Sequence, residues 1–224
     1  MSALAETGFR GVSLREALLY REAHNVWPER SVVLTFDDGY ANFYEEAAPT
    51  LVERGFTATV FVVSGHVGGR NDWAPPPAGL ELRPMLTWPR IVEMSAAGIE
   101  IGAHTRTHKD LRKLPAPEAR EEIGGSRDEI EDRLGRSVEC FAYPFGHVSP
   151  TSREIVRQKF RAACTTTLRR AGAESFHELP RVDMYYLRTS QQLLRLLDGR
   201  LDSYLAIRRL ARSARSALIE RRLW

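Results

Sequence analysis

The sequence has few cysteines and no long apolar run, and each shortage excludes a class of protein. Two cysteines in 224 residues cannot build a disulfide framework, and we expect Cys140 and Cys164 to be buried small apolar side chains. The longest uncharged stretch, residues 55–69, is shorter than the roughly 20 residues of a membrane-spanning helix. The first residues lack the basic region and apolar core of a secretory signal, so the default expectation is a cytoplasmic location.

An excess of charge of one sign is also missing. The 32 basic residues nearly balance the 29 acidic ones, which leaves a net charge of +3. This balance argues against a nucleic-acid partner, because such proteins carry a clustered excess of basic residues. With 43% hydrophobic and 27% charged residues, the composition is that of an ordinary soluble globular protein. The length suits one large domain.

Five short apolar stretches, rich in β-branched and aromatic residues, predict strands buried on both faces. They are residues 31–36, 57–63, 99–103, 138–142 and 161–165. Longer amphipathic segments lie between them, which indicates repeated βα units. This pattern predicts an α/β protein, and weaker strands can have been missed. The favoured fold is a (β/α) barrel smaller than the full eight-fold form, and the alternative is an open doubly wound sheet. Both architectures gather active sites at the carboxyl ends of parallel strands.

Local signals mark helix starts, weak points and one long loop. Ser13 and Glu16 have the spacing of a capping box. Pro49 should break or kink the helix predicted over residues 42–54, and the pair Gly124-Gly125 should weaken the one over 116–134. Residues 68–84, with prolines at 75–77, predict a surface loop that rims a cleft.

The character of the chain changes near residue 189. Residues 190–198 and 201–223 predict two helices, and the second is basic and amphipathic. We therefore divide the chain into a domain over residues 1–188 and a helical extension over residues 189–224. We favour packing of the last helix on the barrel, with contact to an anionic membrane surface or a partner as the alternative.

Two adjacent carboxylates, Asp37 and Asp38, follow the first predicted strand and precede Gly39. Charge at the end of a buried strand is costly, and two carboxylates there repel each other unless a cation lies with them. Taken alone, Asp-Asp-Gly also fits a helix cap or a turn.

Two histidines, His104 and His108, follow the third predicted strand. Their spacing predicts two imidazoles on one face of a helical turn, near enough to bind one metal ion. They leave a strand at the same type of position as the two aspartates, so we expect the two elements to meet. Two histidines with one carboxylate form a common three-ligand site for a catalytic divalent metal.

A third strand end, residues 141–146, contains Pro144 and Gly146. Proline fixes one backbone angle and glycine permits a tight turn, so this loop can direct a backbone N–H towards the metal. Without the other two elements it would be interpreted as a turn alone.

In this order, the elements resemble the NodB-type polysaccharide deacetylases, metal-dependent hydrolases that remove acetyl groups from N-acetylated sugars. Residues 35–39, Thr-Phe-Asp-Asp-Gly, are similar to the first motif of that family, and residues 104–108, His-Thr-Arg-Thr-His, to its second. The likeness covers residues 31–183. It implies a distorted or incomplete (β/α) barrel, with Asp38, His104 and His108 as ligands of a divalent metal, expected to be Zn²⁺. It also implies Asp37 as the catalytic base.

The implied roles agree with simple chemistry. A metal ion at this site would make a water molecule usable as a nucleophile near pH 7. Asp37 would accept a proton from that water, a role typically worth about 10²–10⁴ in rate. By similarity to the third motif of the family, the backbone N–H of Phe145 would stabilise the oxyanion together with the metal.

The third motif departs from the common pattern. Ala142 stands where many members have an arginine that partners the base, and Tyr143 stands where a proline is common. The Phe-Ala-Tyr-Pro form resembles a branch that includes deacetylases of poly-N-acetylglucosamine. Arg181 is our candidate for the missing cation, and Asp183 for orienting a neighbouring group. A surface ion pair of Arg181 and Asp183 is an equal alternative.

The late Leu-x-His motif that donates a proton to the leaving amine is absent. His147 is the preferred replacement because it follows the third motif directly, and His66 and His177 are weaker candidates. Residues 3–14 resemble a segment that a further strand normally precedes, so the sequence leaves open that the first barrel strand is missing.

The expected function is metal-dependent removal of N-acetyl groups from an N-acetylhexosamine-containing polysaccharide or its precursor. One alternative is a small-amide C–N hydrolase of the allantoinase-like type, which elemental analysis for a metal would separate. Another is a degenerate barrel that binds glycan without turnover.

Overall fold

A computed structural model describes residues 1–73, 81–172 and 175–222 of the chain, with side chains as far as Arg212. The described residues contain eight strands and nine α-helices. The strands are β1 (Arg10–Val12), β2 (Ser31–Val33), β3 (Thr35–Phe36), β4 (Thr59–Val62), β5 (Glu100–Ala103), β6 (Cys140–Ala142), β7 (Ala162–Leu168) and β8 (Leu179–Arg181). The helices are α1 (Ser2–Glu6), α2 (Leu14–His24), α3 (Ala48–Glu53), α4 (Trp88–Ala96), α5 (Ala116–Arg120), α6 (Ser126–Leu134), α7 (Pro150–Lys159), α8 (Ser190–Leu197) and α9 (Asp202–Arg222).

The strands form a curled, all-parallel half-barrel. β3 to β8 make a six-stranded sheet in sequence order, and β1 pairs with β2. Leu34 separates β2 from β3 and joins the two sheets, because its N–H donates to Val12 O at 3.0 Å and its carbonyl accepts from Thr59 N–H at 2.9 Å. The predicted incomplete (β/α) barrel is confirmed. All five predicted strands are present, and the sequence missed the three-residue strands β1 and β8.

The strands are apolar because both of their faces are covered. Side chains of one face fill the barrel interior, and those of the other pack against the surrounding helices. The interior cluster includes Phe61, Cys140, Ala142, Cys164 and Leu179, together with Leu14 and Leu18 of α2. Both cysteines are free and buried, as predicted.

Helix α2 covers the amino end of the barrel. Its first N–H groups lack partners within the helix, and the strands supply them. Leu14 N–H donates to Thr59 Oγ1 at 2.8 Å, and Arg15 N–H donates to Glu100 Oε2 at 2.9 Å. The carboxyl ends of the strands, at the opposite end, are therefore the end where a cleft can form.

The capping box predicted at the start of α2 is only half formed. Ser13 Oγ accepts from Glu16 N–H at 3.1 Å, as the pattern requires. The reciprocal bond is replaced by Thr57, whose Oγ1 accepts from Ser13 N–H and donates to the Glu16 carboxylate, both at 2.8 Å. The cap is thereby tied to the segment that leads into β4.

Both predicted helix weak points take up π-helical turns. Phe43–Ala47 is such a turn, and α3 starts immediately after it with Pro49 in its first turn. Glu121–Gly125 is a second one between α5 and α6 and contains the glycine pair. A π-turn admits one extra residue without ending the helix.

The C-terminal helices pack against the last strands of the sheet. Leu196 of α8 and Leu205 of α9 are buried in a small cluster with Leu168 of β7. Further along α9, Ile207 and Leu210 are 65% and 68% exposed. The predicted packing thus holds for the start of α9, while its side chains beyond Arg212 and the prolines at 75–77 lie outside the described residues. Among the described helices, none combines the length and the hydropathy that a bilayer crossing needs.

Candidate active site

Polar side chains from three strand ends, and a turn from a fourth, meet at the carboxyl end of the half-barrel. Asp37 and Asp38 follow β3, His104 follows β5, and Arg181 ends β8. The turn at Pro144–Gly146 follows β6 on the same side. The barrel topology therefore brings together residues that are far apart along the chain.

Asp38, His104 and His108 present three ligand atoms to one point. Asp38 Oδ1 lies 3.4 Å from His104 Nε2 and 3.4 Å from His108 Nε2. All three atoms lie within 4.8 Å of one another, and among the described residues no other three His, Cys, Asp or Glu side chains meet in this way. Ligands bound at about 2.0–2.2 Å to a tetrahedral ion lie about 3.4 Å apart. The donor set and its spacing fit a divalent metal ion.

His104 is oriented by a backbone carbonyl. Its Nδ1 lies 2.7 Å from Ala142 O, and because a carbonyl only accepts, Nδ1 carries a proton and Nε2 is the ring nitrogen that faces Asp38. Burial lowers the pKa of His104, but the carboxylates of Asp38 and Asp37 outweigh it and hold the pKa above its usual value. The two carboxylates thus favour positive charge at His104.

His108 lies between two aromatic rings. Its ring centroid is 4.7 Å from that of Trp73 and 4.7 Å from that of Phe145. Burial and the neighbouring His104 lower the pKa of His108 to about 4. The neutral imidazole that results is the form that binds a metal.

The helical turn predicted for residues 104–108 is wrong. Thr105 and His108 adopt left-handed φ values of 63° and 57°, and His108 N–H donates to Thr105 Oγ1 at 3.0 Å. The Glu122 carboxylate accepts from the backbone N–H groups of Arg106 and Thr107 at 3.1 and 2.9 Å, so these N–H groups do not make the hydrogen bonds of a helical turn. The two histidine rings still meet, with centroids 4.9 Å apart.

Strained backbone is concentrated at this site. Six described non-glycine residues have positive φ values, and four of them, Asp38, Thr105, His108 and Phe145, belong to the site. Left-handed backbone is costly for residues with a Cβ and is found preferentially where function requires it. This pattern supports a functional interpretation independently of the metal donor set.

Asp37 is held by Arg181 through two parallel hydrogen bonds. Nη1 donates to Oδ1 at 2.6 Å and Nη2 to Oδ2 at 2.7 Å. Arg181 Nε also donates to Thr165 O at 3.0 Å, which fixes the plane of the guanidinium. Burial raises the pKa of Asp37, but the charge and hydrogen bonds of Arg181 outweigh it, so the pKa lies below its usual value and the carboxylate is ionised.

The surface ion pair considered for Arg181 does not form. Only 17% of the Arg181 side chain is exposed, and its partner is Asp37. Asp183 instead accepts from Tyr185 N–H at 2.8 Å and caps the turn that follows β8.

The turn after β6 places Phe145 at the edge of the site. Phe145 and Gly146 have φ values of 60° and 70°, and Phe145 is 51% exposed. A Cβ on Gly146 would lie 2.5 Å from Thr166 N, so glycine permits the close approach of this turn to β7. The backbone N–H of Phe145 makes no hydrogen bond within the described part of the chain.

The three histidines considered as proton donors have different surroundings. His147 Nδ1 lies 3.1 Å from Asp110 Oδ2, and its ring is 5.6 Å from that of Phe145. His66 Nδ1 contacts Asp72 Oδ1 at 3.1 Å on the other side of the site. His177 Nε2 lies 3.0 Å from the carbonyl of Phe160, the residue that follows α7 and precedes β7.

The sequence analysis missed four residues at the site: Tyr40, Asn71, Trp73 and Asp110. The Tyr40 hydroxyl accepts from Asn71 Nδ2 at 3.2 Å, and burial together with the nearby charge of Asp38 raises the pKa of Tyr40. Its position two residues after Asp38 was a usable signal. Asn71 and Trp73 come from the predicted rim loop, where nothing local distinguishes them.

The sequence is similar to the profile of a protein family and to several curated bacterial proteins. A sequence profile described as polysaccharide deacetylase matches residues 24–160. YxkH of Bacillus subtilis is 27% identical over 146 residues, which are 65% of this chain and 48% of that relative. Poly-beta-1,6-N-acetyl-D-glucosamine N-deacetylase of Staphylococcus aureus is 27% identical over 156 residues, which are 66% of this chain and 51% of that relative. The chain thus spans about half the length of these curated relatives.

Solved structures agree with the fold. IcaB from Ammonifex degensii superposes with a TM-score of 0.71 at 28% identity, covering 88% of this chain and 85% of that one. The Streptococcus pyogenes deacetylase PplD superposes with a TM-score of 0.70 at 24% identity, covering 87% of this chain and 82% of that one, which supports the fold alone. Since the profile match extends over more than half of its residues, the chain belongs to the polysaccharide deacetylase family.

Proposed function

We propose that this chain is a metal-dependent N-deacetylase that hydrolyses acetamide groups of an N-acetylhexosamine-containing polysaccharide or its precursor. The observation that carries the proposal is the position of Asp37, which is ionised, held by Arg181, and adjacent to the converging donors of Asp38, His104 and His108. We propose Zn²⁺ as the ion, because two imidazoles and one carboxylate are a donor set of open catalytic zinc sites.

The residues of the chain divide the chemistry as follows. When bound, the ion supplies Lewis-acid activation of the acetamide carbonyl and of a water molecule. Asp37 accepts a proton from the attacking water, and Arg181 keeps that carboxylate ionised and aimed. The free N–H of Phe145 donates to the carbonyl oxygen as negative charge develops there.

The leaving amine needs a proton before it departs. We propose that His147 donates it, with Asp110 orienting the imidazole through the 3.1 Å contact at Nδ1. Burial raises the pKa of Asp110, but hydrogen bonds from Arg112 outweigh it and lower the pKa to about 2. The ionised carboxylate can accept from Nδ1–H of His147 and so fix the orientation of the imidazole. The products are acetate and a glucosamine-type amine.

The substrate class rests on the relatives. The Staphylococcus aureus relative is named for poly-beta-1,6-N-acetyl-D-glucosamine, and we carry over an N-acetylated glycan of this kind. We assign the activity to residues 1–188 and treat residues 189–224 as a helical extension. A test that removes the extension needs a parallel measurement of the stability of the shortened chain.

The test is acetate release from N-acetylglucosamine oligomers, with and without a chelator. Asp37→Asn should lower the rate by about 10²–10⁴ while metal remains bound, because only the base is lost. His104→Ala should lose both activity and metal, measured by elemental analysis. Asp132→Asn, at an exposed aspartate outside the site, is the matched control. Full metal content in the His104 variant, or no acetate from the metal-loaded wild type, would contradict the proposal.

A further inference from the structure

The π-helical turn Glu121–Gly125 lies against residues 104–108, which we call the histidine loop. Arg106 N–H, in the middle of that loop, donates to the backbone carbonyl of Glu122 at 3.1 Å. The approach is close because the turn ends in glycine: a Cβ on Gly125 would lie 2.8 Å from Arg106 Cδ. π-turns are found frequently at functional sites. This one brings the buried side chain of Glu122 to the histidine loop.

Both oxygens of the Glu122 carboxylate bind donors of the histidine loop. Oε2 accepts from Thr107 N–H at 2.9 Å and from Arg106 N–H at 3.1 Å, and Oε1 accepts from Thr107 Oγ1 at 2.5 Å. Arg106 N–H shares its bond with the Glu122 carbonyl, whereas Thr107 N–H has no second acceptor in the part of the chain that the structure describes. Lys109 Nζ lies 3.8 Å from Oε1 and its side chain is half exposed. The carboxylate therefore supplies the acceptor that the backbone between the two histidines needs.

The position of His108 depends on this backbone more than that of His104 does. The His104 ring is oriented by its own bond, from Nδ1 to Ala142 O at 2.7 Å. His108 Nδ1 is buried and has no hydrogen-bond partner within the described residues, so no such bond orients its ring. Thr105 and His108 are also left-handed, which is a costly conformation for residues with a Cβ. The position of His108 Nε2, 3.4 Å from Asp38 Oδ1, thus depends on the contacts that hold the loop.

We propose that Glu122 is a positioning residue whose carboxylate holds the histidine loop in the conformation that places His108 Nε2 opposite Asp38. The role is indirect, because Glu122 bonds to residues between the two histidines. The inference rests on the proposed metal site and adds to it a residue outside the motifs. Residues that support metal ligands in this way typically change metal affinity by about 10–100-fold.

A buried carboxylate near a metal site has two separable properties, its charge and its reach. If the charge attracted the cation, a shorter carboxylate would preserve the effect and an uncharged amide would lose it. If the hydrogen bonds hold the loop, the reverse is expected, because glutamine keeps an acceptor oxygen at the same reach as glutamate. The NH₂ group of glutamine can donate to Thr107 Oγ1, since a hydroxyl both donates and accepts.

The experiment measures the Zn²⁺ affinity of the metal-free protein by competition with a chromophoric chelator. Glu122→Gln should bind Zn²⁺ as tightly as the wild type. Glu122→Asp keeps the charge but is one methylene shorter than the contact with Thr107 N–H requires, so Zn²⁺ binding should weaken about tenfold or more. A loss in Glu122→Gln, with or without a loss in Glu122→Asp, would show an effect of charge and overturn the inference.

Glu121 provides the matched control within the same π-turn. Its carboxylate accepts from Arg106 Nη1 at 2.5 Å, and 67% of its side chain is exposed. In the described structure it makes no bond to the backbone of the histidine loop. Glu121→Asp shortens a carboxylate in the same way and should leave the Zn²⁺ affinity unchanged. Equal losses in Glu121→Asp and Glu122→Asp would overturn the assignment to Glu122.

A second variant keeps the test decisive if Glu122→Asp does not fold. Thr107→Val removes the donor to Oε1 and leaves the backbone bond to Oε2 in place. It should weaken Zn²⁺ binding, by a smaller factor than a shortened carboxylate does. Where the aspartate variant does not fold, wild-type affinity in Thr107→Val overturns the inference.

The outcomes separate this inference from the function on which it rests. Wild-type affinity in a folded Glu122→Asp overturns the role of Glu122 and leaves the deacetylase proposal intact. Wild-type affinity in Asp38→Asn removes the metal site and with it the proposed function. The melting temperature in chelator is the further readout. A fall there in Glu122→Asp, with an unchanged Zn²⁺ affinity, would indicate a merely structural role and would also overturn the inference.

Discussion

Arg181, the last residue of β8, donates two hydrogen bonds of 2.6 and 2.7 Å to the carboxylate of Asp37, the residue that follows β3. The same guanidinium donates to Thr35 Oγ1 at 3.3 Å. The first and last strands of the six-stranded sheet are not paired with each other, so this contact spans the gap between them. One side chain thus links the two edges of the half-barrel and sets the charge of the proposed base.

Replacing Arg181 with glutamine should shift the acid limb of the activity profile to higher pH. The depressed pKa of Asp37 keeps the base ionised, and activity is lost as the pH falls through that pKa. Without the cation, burial is opposed only by the smaller effects of His104 and His108, so the pKa should rise and the limb should move up by about one to three pH units. The measurement is kcat/KM for acetate release against pH.

A matched variant controls for the general loss of a charged pair. Arg161 bonds to Glu139 at 3.0 Å at the amino end of the barrel. Arg161→Gln should leave the acid limb where it is in the wild type. An unshifted limb in Arg181→Gln would show that Arg181 does not tune the base.

Replacing Gly146 with alanine should damage both stability and turnover. Left-handed backbone costs alanine about 1–2 kcal/mol, and the collision with Thr166 adds about 1–3 kcal/mol of overpacking. Gly135→Ala separates the two causes, since Gly135 has φ 63° and no atom within 4 Å of an added Cβ. Urea unfolding and acetate assays should find both losses in the first variant and only the smaller stability loss in the second. Equal unfolding free energies would disprove the predicted collision.

Replacing His147 with glutamine should affect substrates according to their leaving group. An amine must be protonated to leave, whereas 4-nitrophenolate leaves unaided. The rate on an N-acetylated sugar should therefore fall by about 10²–10⁴, while hydrolysis of 4-nitrophenyl acetate should be nearly unchanged. His177→Gln, with the imidazole that bonds to Phe160 O, serves as the control. Equal losses on both substrates would rule His147 out as the proton donor.

Neither cysteine should react with a thiol reagent in the folded protein. Burial raises the pKa of Cys164 to about 12 and also raises that of Cys140, so almost no thiolate is present at pH 8. Ellman's reagent should label no thiol in native protein and two in urea. Rapid labelling of the native protein would mean that the barrel interior opens readily.

The sequence predicted the parts of the fold that have strong local signals. Five strand regions were recognisable because each lies in an apolar stretch of several residues in the sequence. β1 and β8 have three residues each, and β8 contains Pro180, so neither gives a usable periodic pattern. The order of the strands followed from the βα pattern, and their curling into a half-barrel confirmed the predicted fold class.

The site residues were predictable where side chains of a suitable type lie close together in the sequence and directly follow a predicted strand. Asp37-Asp38 and the His104–His108 pair could be singled out by type and position, and their roles remain predictions. The left-handed backbone of Thr105 and His108 was not predictable, because the contacts that accompany it, such as those of Glu122, come from outside the segment. Contacts such as that of Asn71 with Tyr40 depend on how a long loop folds back, and no sequence pattern encodes them.

The left-handed residues around the cleft have a consequence for protein engineering. Glycine would relieve the local strain at each of these four positions, and at each it would also remove a side chain assigned to the chemistry or to its support. A library screened for expression yield would therefore drift away from an intact cleft, whereas one screened for turnover would retain it. Thermostabilising substitutions are better directed at positions such as Asn25, which ends α2 in the same conformation but lies outside the cleft.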